Sequence, residues 1–340
     1  CWHEDSRGDM HYWTVWHENA SFDAYFDVIP RFCSEFGYQS FPSLETIASF
    51  APESHFNPTA PFMEHHQRNP AGNSKIVEMM TRYFRVPEGF ENFVFLSQVQ
   101  QGLAIRMGVE YWRHLQPTCM GTLYWQLNDV WPVCSWSSLE YSGRWKLLHY
   151  MAKRFYGPVI VTAFQNKEDE LEIWVVNDQH QAQTVQVILQ IWDFAGKIQK
   201  EEEYTGVAPA GGALLLAKRP LEQLASRPDE VFAFLELTGD GVQHYNDHFF
   251  TEYKRCHLPD ANVKVTAKEV DGAYQVEVSS DLPAFFVTLE TRGIRGEFDD
   301  NCFTLLPGKP RTLVFTPKEA VTLKEFDDSL KVYHLRATYR

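Results

Sequence analysis

The chain has 340 residues, 44% hydrophobic and 22% charged, a globular composition with room for two or three domains and not that of a disordered or collagen-like chain. Lys and Arg number 31 against 45 for Asp and Glu, a net charge of −14, which argues against a nucleic-acid partner because such affinity rests on clustered cations. No apolar run approaches the ~20 residues of a membrane-spanning helix, so no membrane partner is expected either.

In chain order, GDMHYWTVWHEN (8–19) reads as strand-like and carries Trp13, Trp16 and His17. Trp13 suits core packing there, while Trp16 and His17 are open. PRFCSEFGYQSFPSLETI (30–47) reads as strand, abrupt turn and helix, with Ser43 as the N-cap and Glu35 where the strand ends. Strand C-termini form the active face of a β/α barrel, so Glu35 is either a catalytic carboxylate or a solvated turn residue. His55, His65 and His66 fall in or near the loop PFMEHHQRNPAGN, which reads as a cleft loop and not a metal site. Helices are predicted over 73–85, capped by Asn73 or Ser74, and over 92–115, with Pro117 as a stop. MGTLYWQLND (120–129) reads as a buried strand and 142–157 as a further helix ending at Gly157-Pro158. Helix, strand and helix in succession predict an α/β domain with parallel strands. Trp125 with Asn128 and Asp129 suits a sugar, whose C–H face packs on indole and whose hydroxyls need amide and carboxylate partners. The alternative is a core strand with Trp125 as packing and Asn128-Asp129 as a cap.

After Pro158 the period changes to two. LEIWVVND (171–178) and TVQVILQIWDF (184–194) turn Leu171, Ile173, Val175 and Val185, Val187, Leu189, Ile191 inward, and five further alternating runs follow, up to 312–317. The pattern predicts two antiparallel sandwiches of ~90 residues joined near His257-Leu258-Pro259-Asp260. His244 and His248 fall in such a strand and read as structural. Six scattered cysteines (Cys1, Cys33, Cys119, Cys134, Cys256, Cys302) show no metal-like spacing and read as buried or free thiols of a reducing, cytoplasmic compartment.

GDMHYWTVWHE, PRFCSEFGYQSFPS and SQVQQ followed by GTLYWQLNDVWPVCSWSSLEYSGRWKLLHY together resemble the β-mannosidase branch of glycoside hydrolase family 2, closely over 1–157. GEFDDNCFTLLPGKPRTLVF (296–315) is similar to the C-terminal immunoglobulin-like module of the same enzymes. The resemblance implies strands six to eight of a (β/α)8 TIM barrel in 1–157, then immunoglobulin-like sandwiches in 158–258 and 259–340. It also implies a retaining exo-glycosidase that removes terminal β-linked mannose from the non-reducing end of oligosaccharides, without cofactor or metal. Glu35 matches the nucleophile of the S-E-F/Y-G motif and Trp125 a tryptophan of the terminal-sugar pocket. Trp16 and His17 fall where the family has pocket-edge residues. In animals the family is lysosomal.

Retaining chemistry needs an ionised carboxylate and a protonated carboxyl about 5–5.5 Å away. In the family the acid follows an asparagine upstream, and no Asn-Glu pair precedes Glu35. The chain is therefore expected to be the C-terminal part of a longer enzyme, inactive alone, with the N-terminal half as its partner. Other family 2 activities, on β-galactosides or β-glucuronides, share the nucleophile geometry. A non-catalytic carbohydrate-binding or assembly module is the alternative from another class, for which only Trp174 and Trp192 are available on the sandwiches.

Overall fold

The computed structural model describes residues 4–340, so Cys1 of the sequence reading lies outside the described residues. The chain divides into two units. One takes the residues through Tyr38, Leu103–Trp125 and Ala152–His257; the other takes Gln39–Gly102, Gln126–Met151 and Leu258–Arg340. The helices are α1 (Thr14–His17), α2 (Leu44–Ala48), α3 (Pro61–His65), α4 (Gly72–Tyr83), α5 (Gly89–His114), α6 (Leu147–Phe155), α7 (Leu221–Leu224) and α8 (Leu323–Ser329).

In the first unit β1 (Met10–His11), β2 (Cys33–Gly37) and β3 (Thr122–Trp125) form a parallel sheet in the order β1-β2-β3. Among the described residues β1 and β3 each pair along one edge only. The strand expected over 8–19 stops at His11, and α1 follows. Adjacent Val15 and Trp16 are both buried, which one turn of helix permits and an alternating strand does not. The strand expected over 120–129 likewise shrinks to four residues, and it is not buried: Leu123 is 58% and Trp125 44% exposed. Below the sheet Phe36, Tyr25 and Trp112 pack edge-to-face, with Trp112 4.9 Å from Phe36 and 5.3 Å from Tyr25 between ring centroids. Gly108 on α5 makes room for this cluster, since a Cβ there would lie 3.2 Å from the Tyr25 ring.

The same unit holds an antiparallel sandwich. One sheet is β4 (Val159–Gln165), β5 (Glu170–Asn177) and β8 (Gly212–Pro220), in that order. The other runs β10 (Val242–Phe249), β9 (Val231–Gly239), β6 (Gln183–Asp193), β7 (Ile198–Ala208). Leu171, Ile173 and Val175 of β5 meet Val185, Val187, Leu189 and Ile191 of β6 in one buried cluster, as the alternation predicts. A buried polar set ties the second half of α5 to this sandwich. Arg106 reaches Asp247 at 2.9 Å and Glu110 at 3.3 Å, and Asn246 donates to Glu110 and to the Val161 carbonyl. Those two carboxylates hold the Arg106 guanidinium in its charged form despite its burial. His244 and His248 are structural: burial depresses them to about 3 and about 4, and His244 Nδ1 accepts from the Val161 amide at 3.3 Å.

In the second unit Ser43 caps α2 by accepting from the Thr46 amide at 3.3 Å. The Glu140 carboxylate takes the Ser43 amide at 2.7 Å and its hydroxyl at 2.8 Å. Helix α4 starts at Gly72, behind Ala71 in the left-handed region (φ 60°), so Asn73 and Ser74 lie inside the helix and do not cap it. Asn73 instead meets Gln67 and Glu64 through its amide. The second sandwich pairs β11 (Val263–Val270), β12 (Ala273–Ser280), β16 (Arg311–Pro317) and β14 (Gly296–Phe298) in one sheet. The facing sheet is β15 (Phe303–Leu305), β13 (Ala284–Thr291) and β17 (Leu330–Tyr333). The five described cysteines are buried thiols, with no disulfide among the described residues.

Candidate active site

Glu35 sits one turn of pleat from the C-terminal end of the central parallel strand, β2. Its register partner on β1 is His11, and Gly37 two residues on partners Trp125 of β3. The register shifts on both sides of this stretch, between Met10 and His11 and between Cys33 and Phe36. Such irregularities re-aim side chains at strand ends. The Glu35 carbonyl accepts from the Tyr12 amide at 2.8 Å, which fixes the backbone, while the side chain is 29% exposed.

The carboxylate has two unlike oxygens. Oε1 accepts from Trp13 Nε1 at 2.9 Å and lies 3.7 Å from His11 Nδ1. Oε2 accepts no hydrogen bond among the described residues. His17 stacks on the Trp13 ring at 4.9 Å and 13°. Glu35, His11, Trp13, His17 and Glu18 line one cleft of about 500 Å³. Gly37 closes the arrangement from behind. A Cβ there would stand 2.5 Å from the Trp125 carbonyl and 3.0 Å from Trp13 Cη2, so only glycine fits. The neighbouring Cys33 thiol is buried, and burial pushes it far above the ordinary thiol range, which leaves the carboxylate as the reactive group of β2.

The residues singled out from sequence have different fates. Glu35 and His17 line the cleft. Trp125 ends the adjacent strand, half-exposed and in register with Gly37. Trp16 does not line the cleft: it is 1% exposed and packs edge-on against Tyr38 at 5.2 Å. Asn128 and Asp129 belong to the other unit. Asp129 is buried and structural in its contacts, with Oδ2 accepting from Ser135 and Ser137 and Oδ1 from Gln126. Asn128 is exposed and donates to the Asp129 carbonyl at 3.3 Å. His66 is sandwiched between Phe50 and Trp131, at 3.9 and 4.7 Å, and no metal-holding cluster of His, Cys, Asp or Glu occurs among the described residues. Sequence reasoning placed Trp13 in the core and missed its contact with Glu35. Trp13 precedes the helical turn and Trp16 lies inside it, a boundary that a strand reading of 8–19 hides. A carboxylate with one oxygen held and the other free of hydrogen bonds among the described residues can attack an electrophilic carbon.

Two family profiles match the chain: an Ig-fold domain of mannosidases at 258–338 and a mannosidase Ig/CBM-like domain at 169–255. The chain is 32% identical to the beta-mannosidase of Capra hircus over 91% of its own length and 38% of that protein. It is 31% identical to the Bos taurus beta-mannosidase with the same coverage, 91% and 38%. Among solved structures it is similar to the beta-D-mannosidase of Dictyoglomus thermophilum, at 30% identity and a TM-score of 0.88, over 97% of this chain and 40% of that one. The chain thus spans about 40% of the length of the proteins it matches.

Proposed function

We propose that this chain, which over nearly its whole length resembles the C-terminal portion of family 2 β-mannosidases, carries the nucleophile of a retaining exo-β-mannosidase acting on terminal β-mannose of oligosaccharides. The observation that carries the reading is Glu35 itself: a carboxylate two residues from the C-terminal end of a parallel strand, lining a cleft, with Oε1 held by Trp13 and Oε2 accepting no hydrogen bond among the described residues. On this reading residues 1–157 are strands six to eight of a (β/α)8 barrel, and 158–258 and 259–340 are its immunoglobulin-like companions. The unpaired edges of β1 and β3, with Leu123 and Trp125 exposed, support the closure of that sheet by further strands.

In the first step Oε2 of Glu35 bonds to the anomeric carbon as the glycosidic C–O bond breaks. The leaving oxygen takes its proton from a carboxyl acid. None of the acids lining this cleft follows an asparagine as the family's acid does, so the acid is supplied by the polypeptide that completes the barrel. In the second step water gives its proton to that same carboxyl group, now ionised, attacks the anomeric carbon and releases the Glu35 carboxylate. Trp125 offers its indole face to the sugar's C–H face.

The test mixes the chain with a polypeptide carrying the preceding barrel strands and measures hydrolysis of aryl β-mannoside, β-galactoside and β-glucuronide. The mannoside is the expected substrate of the mixture, with Glu35→Gln costing at least about 10³-fold. The chain alone is expected to lack activity on an unactivated mannoside, since loss of a general acid costs about 10²–10⁴-fold. Preference for the galactoside or glucuronide, or steady hydrolysis of an unactivated mannoside by the chain alone, contradicts the reading.

A further inference from the structure

A glutamate carboxylate has two chemically equivalent oxygens on a torsion with a broad, two-fold energy profile, so nothing in the residue itself selects which oxygen attacks. In this chain the surroundings do select. The one close hydrogen bond reaches Oε1, from the Trp13 indole at 2.9 Å. The His11 imidazole lies at 3.7 Å from that same oxygen, beyond hydrogen-bond reach but on the same side. An indole N–H donates and never accepts, so Trp13 supports the carboxylate without competing for its proton.

The indole is itself fixed. His17 covers one ring face, 4.9 Å away and nearly parallel. At the edge of its six-membered ring lies Gly37, where a Cβ would stand 3.0 Å from Cη2 and 3.1 Å from Cζ3. Gly37 is two residues from Glu35 on the same strand, so strand and indole are placed against each other before any ligand arrives.

We propose that Trp13 is a positioning residue that assigns the two oxygens of Glu35 their roles, Oε1 as the held atom and Oε2 as the atom that attacks. The inference rests on the reading of Glu35 as nucleophile and deepens it. When Oε2 bonds to the anomeric carbon, Oε1 becomes the carbonyl oxygen of the glycosyl ester and still accepts from Trp13. When water displaces the ester, the electron pair of the C–Oε2 bond returns to the carboxylate, again with Oε1 held. Trp13 therefore serves both steps, through Glu35 and without touching the sugar's leaving group.

Two measurements on the full chain test this. The first is the ¹H–¹⁵N resonance of the Trp13 indole in protein labelled with ¹⁵N-tryptophan, assigned by its loss in Trp13→Phe. Glu35→Gln is expected to shift that resonance and leave the Trp174 and Trp192 indoles unmoved. An unmoved Trp13 resonance overturns the proposal, whether or not the chain reacts with any sugar. The second is inactivation by 2-deoxy-2-fluoro-mannosyl fluoride, in which fluoride leaves with its electron pair and no acid is needed. Trp13→Phe is expected to lower kinact about 10–100-fold at nearly unchanged Ki, the loss of one hydrogen bond to a charged group. A misfolded cleft would raise Ki as well. An unchanged kinact in Trp13→Phe also overturns the proposal. A wild-type chain that forms no adduct counts against Glu35 as nucleophile, and the resonance then decides the hydrogen bond by itself.

Discussion

Glu35 and Asp129 invite comparison, because the sequence offers both as carboxylates for a sugar site, Glu35 by its place on a strand and Asp129 by its neighbour Trp125. Their surroundings differ in the number of donors. Asp129 is buried and both its oxygens are taken, Oδ2 by Ser135 at 2.8 Å and Ser137 at 2.5 Å, Oδ1 by Gln126 at 3.2 Å. Glu35 has one oxygen taken and keeps 29% of its side chain exposed. A carboxylate with both oxygens engaged braces a loop, whereas one left half-engaged beside a cleft can react. Glu290 on β13 supplies the third case, a carboxylate that lines a crevice with Gln98 and Leu147 and accepts no hydrogen bond among the described residues.

The largest expected effect is on stability, at Asp129. Asp129→Ala strands two buried serine hydroxyls and should cost about 3 kcal/mol in denaturant unfolding. A cost below about 1 kcal/mol would break the contrast, because Asp129 would then not be a brace. Glu290 comes next. Burial is the main cause that pushes its carboxyl up to about 7, with Glu140 and Glu91 adding to the rise and Arg144 and Arg292 opposing it. The folded chain then holds a proton that the unfolded chain, with an ordinary value of 4.5, releases. Stability from this group is full below about 4.5 and declines as pH rises to about 7, by up to roughly 3 kcal/mol. Glu290→Gln should flatten that slope in thermal unfolding followed from pH 4 to 8, and an identical slope in the variant would refute the sign argument.

Gly37→Ala should cost about 1.5 kcal/mol, because the Trp125 carbonyl that a Cβ would meet at 2.5 Å is backbone and cannot swing aside. It should also disturb the Trp13 indole resonance, so an unchanged spectrum would argue against the close approach. Glu35→Gln gives the smallest stability effect, within about 1 kcal/mol in the same unfolding measurement, since a half-exposed group braces little. A large loss there would make Glu35 a second Asp129.

The sandwiches were the most legible part of the sequence. Alternation placed Leu171, Ile173, Val175 and Val185 to Ile191 on buried faces because each strand there has one wet and one dry side. Strands β4 and β7 were not picked out. β4 is buried almost continuously and so shows no period of two, while β7 alternates between half-buried and exposed residues rich in Glu. The parallel sheet was harder. Its strands are two to five residues long, too short for a period to assert itself, and α1 begins immediately after β1. Trp16, inside that turn, goes to the core and Trp13, just before it, to Glu35, the reverse of the sequence reading. Glu35 itself was visible as a lone acid between a strand and a glycine. Its unequal oxygens were not, because they depend on an indole 22 residues away in sequence.

The most direct measurement is the intact mass of the chain after exposure to 2-deoxy-2-fluoro-mannosyl fluoride, followed by peptide mapping. One adduct, on the peptide containing Glu35 and absent from Glu35→Gln, is the result this account predicts. An adduct on another carboxylate, or none on a correctly folded chain at saturating reagent, would contradict the assignment of Glu35 as the nucleophile.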